Sequence, residues 1–349
     1  MKNLQKCWPI MLGIFLFVAG AGNVLANEYV LKFGAGYTLN KVWDSSSEAT
    51  QTLIREIERR SGDQIKVKFY GGGQLGLDEK VLIQAQQGLV QMTDASTGHY
   101  APLYPNIQVF DIPYLFMDRQ IAWRVLYGKT ARALQDDMAK RTGLRPLIFR
   151  ENGGFRHFTD SKRPLRTAAD LKGLKIRTMQ APLHMQIVKD LGASPTPIPF
   201  LELYSALQLG VADGQENAVA TFRFPKLEEV QKYMILDGHV FSIITYMINE
   251  KWLRSLPEEM QAAIFQAGEI AVRVNNGISY VQEGKELAEL RKMGLDIYDP
   301  PLEVKNEFRR LTQKSAIEWL RGQKNVDPKW IDMILEEVSQ VEKELGYAN

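Results

Sequence analysis

The segment from Pro257 to Gly294 has a helical pattern without an internal stop, and it is too long for one small domain. Pro257 suits the first turn of a helix, and Glu258 and Glu259 are favourable near the positive end of the helix dipole. Apolar residues recur at helical spacing from there until Gly294. At about 1.5 Å per residue, a helix of this length reaches across two domains. The pattern therefore predicts a two-lobed chain with a helix over about residues 257–293 that both lobes share.

Strand and helix patterns alternate along the chain before this long helix. Ile65, Val67 and Phe69 alternate with lysines, as in a half-buried strand, and a helical pattern follows over about residues 78–87. Further pairs of this kind follow, with glycines at the ends of the helices. The repeated alternation indicates an α/β fold with a mostly parallel sheet. Residues 119–142 have the pattern of one continuous helix.

The N-terminal segment has the order of features of a secretory signal peptide. Lys2 and Lys6 precede an apolar run over residues 8–19, and small residues stand before Asn27. An uncleaved membrane anchor is the alternative, but the apolar run is short for a full span. We therefore predict that residues 1–26 are a cleaved signal peptide and that the mature chain is periplasmic.

Cysteine content and charge exclude two classes of function. Cys7 is the only cysteine and lies in the predicted signal peptide, so the mature chain would have no thiol chemistry and no disulfide. Without Lys2 and Lys6, the 43 basic residues fall to 41, which equals the number of acidic residues. A neutral chain without a basic run has no electrostatic footprint for nucleic acid.

No motif in the sequence points to catalysis or to a metal. None of the four histidines stands in HExxH or in a paired metal spacing, and no GxSxG elbow is present. Asp213 and Glu216 could act as paired carboxylates, although an acidic turn that caps a helix or strand has the same appearance. We predict no catalytic residue, no metal and no cofactor, and an enzyme that uses Asp213 or Glu216 stays open as an alternative.

The stretch from Asp170 to Asn217 is the most informative part of the chain for function. It places Arg177 in a short apolar strand and ends in an acidic, amide-rich turn over residues 213–217. A guanidinium presents a fixed fork of donors that matches a carboxylate through two hydrogen bonds. Facing a cleft, Arg177 would be an anion receptor. On the surface it would instead form an ion pair worth about 0–1 kcal/mol.

Four segments of the chain resemble, in order and spacing, the substrate-binding proteins of TRAP transporters (tripartite ATP-independent periplasmic). They include the sialic-acid and C4-dicarboxylate branches of that family, and the resemblance runs from about Tyr29 to the C-terminal helices. The segments are FYGGGQLGLDE (69–79), GLVQMTDAST with YAPLYPNIQVFDIPYLF (88–116), NGGFRHFTDS (152–161) and residues 170–217. Each segment alone is a weak signal, whereas the four together are specific.

The resemblance implies an α/β, two-lobed periplasmic-binding-protein fold of type II-like architecture, with a long helix spanning both lobes. Lobe I would comprise residues 27–153 plus about 243–282. Lobe II would comprise residues 154–242 plus about 283–349.

The resemblance also implies a set of ligand-binding residues in lobe II. Arg177 corresponds to the arginine that grips the ligand carboxylate, and Arg156 to a second arginine near the ligand. Asn217 corresponds to a cleft amide, and Phe200 to an aromatic residue that lines the pocket. Gln180 stands where the sialic-acid branch has an asparagine.

In lobe I, Asp78 and Ser96 fall at positions that contact the ligand in the sialic-acid branch. Asp78 keeps its acidic character, whereas Ser96 replaces a glutamate and Gly36 replaces an asparagine. These departures argue against sialic acid and leave a dicarboxylate, a sugar acid, or a 2-oxo or aromatic acid as the predicted ligand class.

The function implied by the resemblance is capture of a small organic-acid anion between two lobes that close about a hinge. The closed protein would deliver the anion to a two-part, sodium-driven membrane permease, and we expect a monomer. A subunit that presents its ligand to a sensor kinase is an alternative that the sequence leaves open.

Overall fold

The computed structural model describes residues 28–39 and 44–347, so the predicted signal peptide and its cleavage site lie outside the described residues. The strands are β1 (Tyr29–Ala35), β2 (Ile65–Tyr70), β3 (Met92–Ser96), β4 (Leu144–Asp160), β5 (Lys175–Thr178), β6 (Ser194–Pro197), β7 (Gly214–Ala218), β8 (Tyr233–Ile235), β9 (Phe241–Asn249) and β10 (Asp296–Tyr298).

The helices lie between these strands and at the C-terminus. They are α1 (Ser45–Arg60), α2 (Asp78–Gln86), α3 (Thr97–Tyr100), α4 (Arg119–Leu126), α5 (Lys129–Thr142), α6 (Pro182–Asp190), α7 (Leu203–Gln208), α8 (Val219–Arg223), α9 (Glu250–Arg254), α10 (Glu258–Lys292), α11 (Leu302–Gly322) and α12 (Pro328–Glu344). Short 3-10 helices cover Pro105–Asp111, Ala168–Leu171, Phe200–Glu202 and Leu227–Glu229. No helix within residues 28–39 and 44–347 combines the length and the apolar composition that crossing a membrane requires.

The strands form a mixed sheet in the order β2-β1-β3-β9-β4-β7-β5-β6, and β8 pairs with β4 and β10. β1 is parallel to β2 and β3, and β5 is parallel to β6 and β7. β9 is antiparallel to β3 and β4, and β4 is antiparallel to β7 and β8. The prediction of a mostly parallel sheet is therefore wrong for the middle of the sheet, where the long strands β4 and β9 are antiparallel.

β4 joins the two halves of the sheet. Up to Phe155 it pairs with β9, and from Arg156 onwards it pairs with β7. The register shifts between Glu151 and Phe155, where Gly153 and Gly154 have φ values of 79° and 92°. We call the half with β1–β3 lobe I and the half with β5–β8 lobe II. The residue boundaries of the lobes stay a prediction.

The predicted helix over about residues 257–293 is confirmed as α10, Glu258–Lys292. It packs against α1 and β4 in lobe I and against α8 in lobe II. Asn275 anchors its middle, because its amide donates to the carbonyl of Glu151 in β4 over 2.9 Å. The long helix thus passes behind the point where β4 changes its sheet partners.

The predicted single helix over residues 119–142 is interrupted at Gly128. Glu337 of α12 accepts hydrogen bonds from the backbone N–H groups of Lys129 and Thr130, both over 2.8 Å, at the start of α5. A Cβ on residue 128 would lie 1.9 Å from Oε1 of Glu337, so a side chain there would push this carboxylate away from its hydrogen bonds. The break is set by a contact with a distant helix, which local periodicity does not reveal.

Candidate ligand-binding site

A cavity of about 100 Å³ lies between the lobes, and residues of both lobes line it. This volume holds several water molecules or one small organic molecule. The lining residues are Gly36, Tyr37, Asp44, Ser45, Ser46, Asp78, Asp94, Ala95, Ser96, His99, Asn152, Gly153, Arg156, Arg177, Met179, Phe200, Asn217, Ala220, Thr221, Phe224 and Ile244. All the predicted site residues except Gln180 are therefore brought together here.

Gln180 lies elsewhere. It is exposed and lines a separate surface groove together with Leu77 and Pro199. Arg177 and Met179 both line the cavity, and side chains of an extended segment point alternately to its two faces. The next residue, Gln180, consequently faces away from the cavity.

Arg177 is a buried cation with two free donors. Its side chain is 0% exposed, and its Nε donates to the carbonyl of Ile198 over 2.9 Å. Its Nη1 and Nη2 are buried and have no hydrogen-bond partner among the residues that the structure describes. Burial lowers the pKa of Arg177 to about 10, with Glu216 acting in the opposite direction, so the side chain stays protonated at neutral pH. Unpaired buried donors of this kind are costly unless a ligand accepts from them.

Arg156 also faces the cavity, but its guanidinium is already engaged. Its Nε pairs with the carboxylate of Glu216, and its Nη2 donates to the backbone carbonyl of the same residue over 2.5 Å. Its Nη1 donates to the hydroxyl of Ser242 over 3.2 Å. Arg156 is therefore held in one orientation, and the carboxylate of Glu216 offsets its charge.

Glu216 is the centre of a buried charge network behind Arg156. His239 Nε2 lies 3.3 Å from its Oε2, and His184 Nδ1 lies 3.4 Å from its Oε1. Burial by itself raises the pKa of Glu216, but the charges of Arg156 and His184 outweigh it and hold the pKa well below its ordinary value. A carboxylate that stays ionised and paired in this way is unsuited to exchange protons near neutral pH.

Asp213, the other acid considered for catalysis, has a structural position. Its carboxylate pairs with Lys162 Nζ over 2.6 Å and accepts from the backbone N–H of Lys175 over 2.8 Å. It is absent from the lining of the cavity. The prediction of a turn over residues 213–217 is wrong, because the chain from Gly214 onwards forms β7. A Cβ at Gly214 would lie 2.0 Å from the carbonyl oxygen of Thr159, so glycine is required where β7 pairs with β4. Asp213 thus serves the fold, and Glu216 positions Arg156.

Asn217 and Phe200 complete the lobe II side of the cavity. Nδ2 of Asn217 donates to the side-chain carbonyl of Gln215 over 2.6 Å, which orients the amide. The ring of Phe200 stacks on that of Phe224, with centroids 6.3 Å apart, and its centroid lies 5.9 Å from Cζ of Arg177. Lobe II therefore surrounds the free guanidinium with one amide and two aromatic rings.

The lobe I wall carries Asp78, Ser96 and His99. The hydroxyl of Ser96 lies 2.9 Å from Nδ1 of His99 and donates to Sδ of Met179 over 3.1 Å. Nε2 of His99 lies 3.7 Å from Oδ2 of Asp78. Burial raises the pKa of Asp78 to about 6, and the charge of Arg177 opposes that rise. Burial lowers the pKa of His99 to about 4, so this imidazole is neutral at pH 7.

A second buried network, which the sequence did not reveal, lies beneath the lobe I wall. Arg150 and Asp94 are both 0% exposed at their side chains and form an ion pair. Nη1 of Arg150 donates to Oδ1 of Asn275 over 2.7 Å, and its Cζ lies 4.6 Å from the ring centroid of Tyr246. Tyr37 donates to Asp94 over 2.5 Å. A charged residue inside an apolar strand was the available signal, because buried charges need partners.

We expect the free energy of unfolding to fall between pH 6.5 and pH 9, because His184 loses its proton in this range. Burial lowers its pKa, but Glu216 and Asp111 outweigh burial and raise it to about 9, against about 6.5 in an unfolded chain. The stabilisation from this proton is complete below pH 6.5 and is lost as the pH rises through 9. Urea unfolding across this range measures it.

The control for this pH dependence is His184→Gln, which removes the titrating group. It should reduce the fall in unfolding free energy without abolishing it, because His239 beside Asp237 and Glu216 also has a raised pKa. An equal fall in the variant and the wild type would contradict the assignment.

Sequence comparisons identify the family of this chain. A sequence model of the bacterial extracellular solute-binding proteins, family 7 (DctP), matches residues 39–321. A solute-binding protein of Verminephrobacter eiseniae is 32% identical over 283 residues, which make up 78% of this chain and 84% of that protein.

Solved structures agree with the sequence match. The sugar acid binding protein DctPAm of Advenella mimigardefordensis, in complex with galactonate, has a TM-score of 0.84 at 28% identity and covers 90% of this chain and 99% of its own. A TRAP periplasmic solute binding protein of Polaromonas sp. JS666, bound to D-erythronate, has a TM-score of 0.81 at 29% identity over 88% of this chain and 98% of its own. The chain therefore belongs to the bacterial extracellular solute-binding proteins of family 7, and its two-lobed fold is that of solved TRAP solute-binding proteins.

Proposed function

We propose that this subunit captures a small organic-acid anion in the cavity between its lobes, with Arg177 as the receptor for the carboxylate. The observation that carries the proposal is that two donors of the Arg177 guanidinium are unpaired. It is buried and charged, and its Nη1 and Nη2 have no partner within the described part of the chain. A carboxylate accepts from both nitrogens at once and removes the cost of the unpaired donors.

The roles of the surrounding residues follow from their contacts. Arg156 is bound to Glu216, so it leaves the bidentate contact to Arg177. Asn217 offers an oriented amide, and Phe200 offers an apolar face. Ser96 and Asp78 approach the ligand from lobe I. Galactonate and D-erythronate, which the two solved relatives bind, are both carboxylates and support this ligand class.

Ligand capture is proposed to proceed by closure of the lobes. Leu183 of lobe II donates its backbone N–H to Gln108 of lobe I over 3.0 Å, and Ser96 contacts Met179 across the same boundary. A ligand that contacts both walls stabilises this arrangement over one in which the lobes are apart. The closed form is then the species that the membrane permease takes up.

Gly98→Val is expected to weaken ligand binding by roughly 5- to 100-fold, through overpacking of the boundary between the lobes. A Cβ at Gly98 would lie 2.6 Å from Cε of Met179 and 3.1 Å from Cβ of Ala181, both in lobe II. Gly284→Val is the matched control, because no atom lies within 4 Å of a Cβ built there. Calorimetric titration of both variants measures the difference. Equal affinities would show that closure does not need this close approach.

The setting of the subunit is proposed from its family and its predicted leader. Residues 1–26 would direct export and be removed, and the mature chain would act as a periplasmic monomer that delivers its anion to a two-part, sodium-driven permease. The relatives are binding proteins, and we propose that this chain likewise lacks catalytic activity. No observation favours the enzyme or the sensor alternative.

A thermal-shift screen tests the proposed function. The purified protein is unfolded and refolded to remove bound ligand, and then melted with organic acids and with matched neutral polyols and amides. A ligand at a hundred times its Kd adds about 2.7 kcal/mol to the unfolding free energy and raises the melting temperature. We expect stabilisation by carboxylates alone. Stabilisation by neutral compounds alone, or by none of the acids, would contradict the proposal.

A further inference from the structure

The acids that line the cavity differ in how they are neutralised. Asp44 accepts from the backbone N–H of Ser47 over 2.9 Å at the start of α1, and Asp94 pairs with the buried Arg150. Asp78 has neither kind of partner. Among the described residues, its carboxylate has no hydrogen bond and no lysine or arginine within ion-pair distance. Nε2 of His99 lies 3.7 Å from its Oδ2, and Arg177 acts on it only from a longer distance. It is thus the free anion of the lobe I wall.

The position of Asp78 keeps it available to a ligand. It is the first residue of α2, where the positive end of the helix dipole favours an ionised carboxylate. Gly36 stands in front of it, and a Cβ there would lie 3.0 Å from its Oδ1. The missing side chain leaves the carboxylate open towards the cavity.

We propose that Asp78 selects the ligand class: the site takes monocarboxylates that present hydroxyl groups to lobe I and excludes the corresponding dicarboxylates. This inference rests on the proposed function, in which Arg177 holds one carboxylate. A hydroxyl group donates to the free carboxylate of Asp78 and completes its hydrogen bonding. A second carboxylate would bring two like charges together in a poorly solvated cavity, where one of them must be neutralised.

The neighbours of Asp78 favour a hydroxyl group over an ammonium group. Arg177 places an unpaired positive charge on the lobe II wall, which repels a cation entering between the lobes, whereas Glu216 offsets the charge of Arg156. Ser96 and His99, which stand beside Asp78, are neutral groups that match the donors and acceptors of a polyol. A ligand that matches both walls has a carboxylate for Arg177 and hydroxyl groups for Asp78, which is the composition of a sugar acid.

Two pairs of compounds differ only in the group that would contact Asp78. D-Erythronate and meso-tartrate have the same carbon chain and differ in a terminal hydroxymethyl or carboxylate group, and galactonate and galactarate differ in the same way. Titration calorimetry at pH 8 measures both members of each pair, because Asp78 is ionised at that pH. We expect the monoacid of the preferred length to bind at least 100-fold more tightly than its diacid.

Asp78→Asn is expected to reduce that ratio at least tenfold, because the amide no longer repels a second carboxylate. Asp63→Asn is the matched control, since it removes an exposed charge of lobe I in a residue that lines a different groove, and it should leave the ratio unchanged. The ratio of monoacid to diacid affinity in the wild type also tests the proposal, and this measurement does not depend on a variant that folds.

Each other outcome has a distinct meaning. Equal binding of monoacid and diacid by the wild type, or an unchanged ratio in Asp78→Asn, would overturn the selection while the proposed function stands. Tighter binding of γ-aminobutyrate than of γ-hydroxybutyrate would show that Asp78 takes an ammonium group, and would also overturn it. Failure of every acid to bind would remove the proposed function and the selection together.

Discussion

Arg177→Ala is expected to weaken binding of the preferred organic acid by roughly 150- to 5,000-fold. The change removes the only bidentate partner proposed for a desolvated carboxylate, and breaking a buried charge pair in this way costs about 3–5 kcal/mol. Isothermal titration of wild type and variant with the best acid from the thermal screen measures the loss. Arg177→Lys keeps the charge and loses the fork, so it should retain part of the affinity.

The same variant should behave differently without ligand. Arg177 is buried with two unpaired donors among the described residues, so its removal relieves a desolvation cost in the empty protein. The ligand-free melting temperature of Arg177→Ala should therefore equal or exceed that of the wild type. Arg254→Ala, at a half-exposed arginine paired with Glu250, is the control for general charge loss and should bind normally. Binding by Arg177→Ala within a few-fold of wild type would contradict the assignment.

Asp94→Ala is expected to destabilise the fold by about 3–5 kcal/mol, because it leaves Arg150 charged and unpaired in the core of lobe I. Asn275 and the ring of Tyr246 would remain around the guanidinium, but neither supplies a negative charge. For a chain of this size, the melting temperature should fall by on the order of 10 °C. Thermal melting followed by circular dichroism measures the change.

The control for Asp94→Ala is Lys66→Gln, which breaks the ion pair with Asp63 at the surface. The pair has a short contact of 2.7 Å, but both side chains are exposed, and exposed pairs contribute little. We expect no measurable change in the melting temperature. A similar fall in both variants would mean that burial of the Arg150 network contributes nothing beyond an ordinary ion pair.

The sequence predicted the elements whose signals are local. The helix over residues 257–293 was correct to within a residue at each end, because Pro257 and Gly294 mark its limits. β9 was not recognised, since a short run of nine buried residues has no periodicity that separates a strand from a buried helix. Without that strand, the antiparallel middle of the sheet could not be inferred. The break at Gly128 depends on Glu337, which is far away in sequence.

Motif resemblance predicted which residues form the site, but only the structure shows which of them are free to bind a ligand. Arg177 and Arg156 are indistinguishable as residue types, yet one is free and the other is saturated by Glu216. That difference arises from the pairing of β4 with β7, which places Arg156 opposite Ala218 and beside Glu216. Gln180 was assigned to the cavity by correspondence with another branch, and it lies in a separate groove instead. Motif position therefore identifies the candidates, and strand geometry decides which of them reach the ligand.

A crystal structure of the protein with its preferred acid shows at once whether Arg177 is the receptor for the carboxylate. We predict that the ligand carboxylate lies within hydrogen-bond distance of both Nη1 and Nη2 of Arg177, with the lobes closed around it. The contact between Arg156 and Glu216 should be unchanged. A carboxylate bound to Arg156 or to the lobe I wall, with Arg177 still unpaired, would contradict this role of Arg177.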